Sequence, residues 1–232
     1  GRDEIEAKTY SRFGHVPPHV SIGTWFSFLL RHFVRPYQNC LYDLRVAGIH
    51  FVNARSAPYV GAANIRSHYF SKPELIYSDK IAKFACEVIQ KTGGAPIKRF
   101  EQIFERLFID ESQDLAGYDL DLVELLMRSQ VQIILVGDHR QATYATNSAS
   151  KNKKYRGAKI VDKFVEWEKA SLCALEYHNY SHRCVQTICD FADQFHPAAP
   201  NAESKNTDIT GHDGVFAVRK SNVASYIEKF RP

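Results

Sequence analysis

The sequence predicts an α/β fold built on a parallel sheet, and three observations predict it. Arg106–Ile109 (RLFI) and Val131–Val136 (VQIILV) are short apolar runs of the kind that form buried strands. Residues 119–128 between them carry a helical pattern. Each apolar run is followed at once by polar groups, Asp110-Glu111-Ser112-Gln113-Asp114 after the first and Gly137-Asp138-His139-Arg140-Gln141 after the second. Two adjacent parallel strands with polar ends share one crevice in an open α/β sheet, which is where such folds do chemistry.

The other elements follow in order. Residues 1–12 (GRDEIEAKTYSR) read as the tail of an exposed helix, followed by a turn at Pro17-Pro18 and a short apolar stretch at Val20–Ile22. WFSFLLRHFV has helical spacing, with Phe28, Leu29, His32 and Phe33 on one side, and Pro36 ends it. Residues 37–100 are mixed and aromatic, broken at Gly93-Gly94 and Pro96, and suggest a helical, partly irregular subdomain. Residues 145–154 (ATNSASKNKK) make a polar, basic loop, and Ala158–Lys169 a helix. Leu172–Tyr177 is a candidate third strand, and Val185–Phe195 a helix with Val185, Ile188, Ala192 and Phe195 on one face. Residues 197–213 read as a polar linker, and Gly214–Val218 as a strand opening a second domain.

Composition sets wider bounds. At 232 residues, 44% hydrophobic and 24% charged, the chain has enough apolar content for a real core. A formal net charge of +4 permits a polyanionic partner without demanding one. Five cysteines without a Cys-x-x-Cys pair argue for reduced thiols and a cytoplasmic setting. No apolar run approaches the ~18 residues of a membrane span, so no membrane partner is expected. The chain opens Gly-Arg-Asp-Glu and its sole methionine is Met127, which reads as an interior segment of a longer chain.

The acidic run carries the sharpest chemistry. Phosphoryl transfer needs a metal to neutralise phosphate oxygens and a base to orient water. An aspartate at a strand end can hold the metal, and the next carboxylate, pointing elsewhere, can meet the attacking water. D-E-x-Q-D arises by chance in a chain of this size at odds of roughly a few in a thousand, which favours a site over a solvated acidic turn. Gln141 is placed to sense a terminal phosphate; the plainer reading of its segment is a helix cap at Asp138. A metal-dependent nuclease using Asp110, Glu111, Asp114 and Asp138 is one alternative, and a non-catalytic DNA-binding module is another. His178, His182, Cys173, Cys184 and Cys189 crowd together as a zinc site would, but at no common ligand spacing.

Six segments in order resemble the UvrD-like superfamily-one DNA helicases. LFIDESQDL resembles the family's Walker-B motif, VGDHRQATY its GDxxQSIY motif, YRGAKIVDKF its RGA segment and SHRCVQTICDFA its N-Y-R-S-x-x-x-I-x-x-F-A motif. IGTWFSFLLR is similar to the T-x-H-S-F segment and GRDEIEAK to the tail of the first DNA-binding motif. The likeness spreads over residues 1–196, and residues 36–100 match poorly.

The resemblance implies a RecA-like P-loop NTPase parallel sheet, incomplete here. Residues 1–196 would be part of the first motor domain, with a helical insertion near 36–100, and 197–232 the linker and start of a second. It implies ATP and Mg2+ as cofactors. Asp110 would hold magnesium, Glu111 would activate water, Gln141 would contact the γ-phosphate, and Arg183 would reach it as an arginine finger does. Read without the other motifs, Arg183 is an ordinary helix-bridging arginine.

DNA contacts would fall to Thr24, Tyr144, Tyr155 and Arg156, with Lys151, Lys153 and Lys154 beside them. Both tyrosines equally suit half-buried positions. The implied partner is single-stranded DNA or a duplex with a single-stranded tail, travelled 3′ to 5′, with a protein partner in a repair or defence system. The sequence departs from the pattern at His182, Ser181 and Phe26, and by about ten extra residues between Tyr144 and Arg156. It has no G-x-x-x-x-G-K-[ST] loop and no Gly-Lys pair. The 232-residue chain alone is therefore expected to bind Mg-ATP poorly and to be inactive.

Overall fold

The computed structural model describes residues 2–197, 199–208 and 210–230. The chain folds as two compact units, residues 1–174 and 175–232, and the boundary expected near 197 lies inside the second.

The first unit opens with α1 (Arg2–Phe13), which buries no residue, as its largely polar sequence requires. α2 (Trp25–Leu29) starts at Thr24, whose hydroxyl caps the Ser27 N–H, and runs on as a π-helical turn through Leu30–Val34. Of the side predicted from the spacing, Leu29, His32 and Phe33 are buried and Phe28 is partly so, and the turn also buries Leu30 and Val34. β1 (Gly48–His50), α3 (Ile65–Tyr69), β2 (Phe70–Lys72) and β3 (Leu75–Tyr77) follow. β1 pairs parallel with β3, and β2 pairs antiparallel with it. The expected helical insertion is therefore a mixed one. Its strands have three residues each, too few for an alternation to declare itself. The Arg35 guanidinium donates to the carbonyls of Val46 and Ala47 and so fixes the approach to β1.

α4 (Ile81–Lys91) buries Ile81, Ala82, Phe84, Ala85, Val88 and Ile89 on one face. Gly93 and Gly94, at φ 61° and 85°, end it in left-handed backbone that glycine adopts without strain. α5 (Ala95–Ile103) then starts with Pro96 in its first turn. Phe33, Tyr69, Phe70, Phe84 and Phe100, each at most 2% exposed, form the centre of this core.

β4 (Arg106–Ile109), α6 (Tyr118–Met127) and β5 (Gln132–Leu135) form the predicted strand-helix-strand unit, with β4 and β5 parallel in the register Ile109↔Leu135. Neither strand is buried on both faces. Ile109 is 7% exposed but Phe108 is 67%, and Ile133, Ile134 and Leu135 are only partly buried. α7 (Ile160–Lys169) closes a second core of Ile109, Leu115, Leu120, Val123, Tyr155, Ile160 and Trp167.

Leu172–Tyr177 does not form the expected strand. Ser171, at φ 56°, turns the chain, and the Leu172 N–H bonds back to the Trp167 carbonyl at 2.9 Å. Leu172 and Cys173 then pack against the second core rather than along a sheet edge.

In the second unit β6 (Tyr180–Ser181) pairs parallel with β7 (Glu203–Ser204), and α8 (Gln186–Asp193) lies between them in sequence, burying Cys189. α9 (Val223–Phe230) follows. Gly214–Val218 is not the expected strand. Phe216 instead stacks on His212 with ring centroids 4.1 Å apart, and His212 stacks in turn on Phe230 of α9 at 3.7 Å.

Candidate functional site

The two polar turns that leave β4 and β5 are joined. Beyond the ladder, the Val136 N–H bonds to the Ile109 carbonyl and the Ser112 N–H to the Val136 carbonyl, each at 2.9 Å. These bonds carry the parallel pairing past the strand ends and set the acidic turn beside Gly137. A Cβ on Gly137 would meet the Gln113 Oε1 atom, and the Ser112 Oγ at 2.7 Å, so the close approach requires glycine.

Asp110 and Glu111 are both exposed at this edge. The Glu111 N–H donates to Asp110 Oδ1 at 2.9 Å, and Glu111 sits at φ 52°, in left-handed backbone. Ser112–Asp114 form a 3-10 turn that buries Ser112 and Gln113.

Gln113 is the residue that sequence reasoning left without a role. It is 4% exposed, its Nε2 donates to Glu111 Oε2 at 2.5 Å, and its Oε1 accepts from the Asp138 N–H at 3.1 Å. One buried carboxamide thus spans the two strand-end turns. The sequence signal was its place inside D-E-x-Q-D; its partners depend on the register of β5. Asp114 is raised above the usual carboxylate range, by burial and by the nearby Glu111 charge.

On the other turn, Asp138 accepts from the Arg140 N–H and Nε at 3.0 Å and from Gln141 Nε2 at 2.9 Å. Burial alone would raise its pKa, but these donors outweigh it and hold Asp138 low. The cap expected at Asp138 is present, and Gln141 is exposed beside it. Asp110, Glu111 and Gln141 therefore lie on adjoining turns of one sheet edge. Arg183 belongs to the second unit, exposed, its N–H bonded to Ser181 Oγ at 3.2 Å and its carbonyl to Asn206 Nδ2 at 2.8 Å.

The residues expected to meet DNA differ among themselves. Thr24 is exposed at the start of α2 and Tyr144 is 59% exposed. Arg156 is half-buried, its Nη2 donating to the Ala149 carbonyl at 2.6 Å. Tyr155 is corrected: it is 5% exposed, its ring lies in the second core and its hydroxyl donates to Glu166. A ring so enclosed leaves no face for a base. Of the neighbouring lysines, Lys154 lies 4.4 Å from the Tyr155 ring centroid and also pairs with Glu166, and Lys151 pairs with Asp121 at 3.7 Å.

Magnesium prefers carboxylate oxygens together with waters, and an exposed strand-end aspartate followed by an exposed glutamate fits it. Phosphate needs backbone N–H groups and a lysine; this chain has no Gly-Lys pair to supply that loop. The residues present therefore fit the carboxylate half of a nucleotide site. Among the described residues no group of three or more His, Cys, Asp or Glu side chains gathers to hold a metal, neither the zinc set nor the nuclease set. Among the described residues no helix is long and apolar enough to cross a membrane.

The family model of the UvrD/REP helicase N-terminal domain matches residues 52–160, just under half of the chain, and spans both polar turns. No curated protein matches the chain.

Proposed function

From residues 52–160, a UvrD-like helicase segment, we propose that the protein is the ATP-hydrolysing part of a DNA motor with a RecA-like core. One observation carries the reading: the acidic turn and the Asp138–Gln141 turn are held together at the C-terminal ends of two parallel strands by the Gln113 carboxamide. ATP with Mg2+ supplies the scissile phosphoanhydride and the counter-charge it needs.

The chain's own residues then divide the work. Asp110 would hold the cation. Glu111 accepts a proton from water as that oxygen bonds to the terminal phosphorus and the bridging P–O bond breaks toward ADP. Gln141 meets the terminal phosphate and reports its presence through Asp138, to which it is bonded. A charge-offsetting role for Arg183 rests on the family resemblance alone.

Single-stranded DNA is the proposed track, contacted at Thr24, Tyr144 and Arg156. Travel 3′ to 5′ and a protein partner in repair or defence rest on the family resemblance alone. The test is ATP turnover by the full-length protein that contains this chain, with and without single-stranded DNA. Stimulated turnover that falls at least 100-fold in Glu111→Gln supports the motor. Metal-dependent cutting of DNA without ATP would replace it with the nuclease reading.

A further inference from the structure

Asp119 is 1% exposed and stands where three segments meet. Its Oδ1 accepts from the Trp25 indole N–H at 2.7 Å, and its Oδ2 from the Thr146 hydroxyl at 2.6 Å. Trp25 is the first residue of α2, directly after Thr24. Thr146 lies two residues after Tyr144. The two donors are therefore neighbours of two proposed DNA contacts that are 120 positions apart in sequence.

Thr146 is in turn fastened to the acidic turn. Its N–H bonds to the Asp114 carbonyl at 2.9 Å, and its hydroxyl oxygen accepts from the Ala116 N–H at 3.2 Å. The loop also runs so close over Gly117 (φ 58°) that a Cβ there would come within 2.9 Å of the Asn147 side chain. Asp114 follows Gln113, which holds Glu111. Every link from Trp25 to Glu111 is thus a hydrogen bond or adjacent backbone, and the joining carboxylate is taken out of water. A carboxylate buried against neutral donors is costly where packing alone is needed; here it reaches both segments.

We propose that Asp119 is a positioning residue that couples single-stranded-DNA contact at Thr24 and Tyr144 to the hydrolytic turn at Asp110 and Glu111, through Trp25 and Thr146. This rests on the motor reading above. DNA drawn against the start of α2 or against the Tyr144 loop shifts a donor of Asp119, and the carboxylate passes the shift to the Asp114–Ala116 backbone. Spatial adjacency does not by itself establish coupling, so the test measures coupling.

Trp25→Phe removes the indole N–H but keeps an aromatic ring, and Thr146→Val removes the hydroxyl at nearly constant shape. In the full-length protein, turnover is measured with and without a single-stranded oligonucleotide, alongside thermal melting. Each variant is expected to retain DNA-free turnover and to lose at least fivefold of the DNA stimulation. The double variant should lose no more than the worse single one, because both act through Asp119. Asp119→Asn, which can accept from Trp25 and donate to Thr146, should keep most of the stimulation where Asp119→Ala does not.

Folded variants with wild-type stimulation, or losses that multiply, overturn the inference while leaving the motor intact. A wild-type protein that hydrolyses ATP without regard to DNA overturns the motor reading and this inference together. If Thr146→Val does not fold, Trp25→Phe with Asp119→Asn decides the matter.

Discussion

Gln113 donates to the Glu111 carboxylate at 2.5 Å while its other end takes the Asp138 N–H, so the proposed base is aimed by a side chain that is itself buried. Removing that donor should misplace Glu111 without removing it. Gln113→Ala is expected to lower kcat for ATP about tenfold, equivalent to about 1.4 kcal/mol of barrier, with little change in KM. Gln113→Glu should be worse, since it sets a second carboxylate against the first. Steady-state kinetics on the full-length protein check both.

Gly137→Ala should destabilise the first unit by about 1–3 kcal/mol, the usual cost of forcing an extra methyl into a filled space. The added Cβ strikes Gln113 Oε1 and comes within 3.0 Å of the Ser112 backbone N. Thermal or urea unfolding reads the loss. Gly61→Ala, where a Cβ meets nothing within 4 Å, is the control and should be near neutral.

Glu124 predicts an acid limb. Burial pushes its pKa up, but the Trp167 indole, Lys163 and Arg128 donate to it at 3.0 Å each and bring it down to about 2. A depressed carboxylate adds stability that is fully present above its ordinary 4.5 and is lost as pH falls toward about 2. The Tm difference between wild type and Glu124→Gln should therefore be largest near neutral pH and shrink through that window.

Asp119 predicts the opposite slope. Burial is the largest influence and raises it to about 6, against the donors Thr146 and Trp25. A raised carboxylate contributes stability that is present below its ordinary 3.8 and is lost as pH rises through about 6. Asp119→Asn, which cannot ionise, should gain Tm relative to wild type between pH 4 and pH 7. A difference that stays flat across that range would show that the carboxylate does not titrate there.

The strand-helix-strand unit and its two acidic and polar turns were legible because β4, α6 and β5 each have a clear apolar pattern and end in residues of distinctive chemistry. The three-stranded patch was not, since β1, β2 and β3 are three residues long and pair across intervals of up to 27 positions. Leu172–Tyr177 and Gly214–Val218 show the limit of apolar runs as strand signals: the first is spent on covering Trp167 and its neighbours, the second on a ring stack with His212. Tyr155 was misjudged because an aromatic beside lysines suits a nucleic-acid surface and a core edge equally well; Glu166, eleven residues on, claims its hydroxyl. Gln113 and Asp119 were invisible as connectors because their partners lie 25 and 94 positions away.

Glu111 holds a left-handed backbone, φ 52°, that glycine or asparagine would occupy more cheaply. Glu111→Gly would relieve that backbone, by something like 1 kcal/mol, but would leave the buried Gln113 Nε2 without its acceptor, at a cost of about 1–3 kcal/mol. A screen of this molecule for heat resistance alone would therefore find little to gain at position 111, because the side chain that aims the proposed base also penalises its loss.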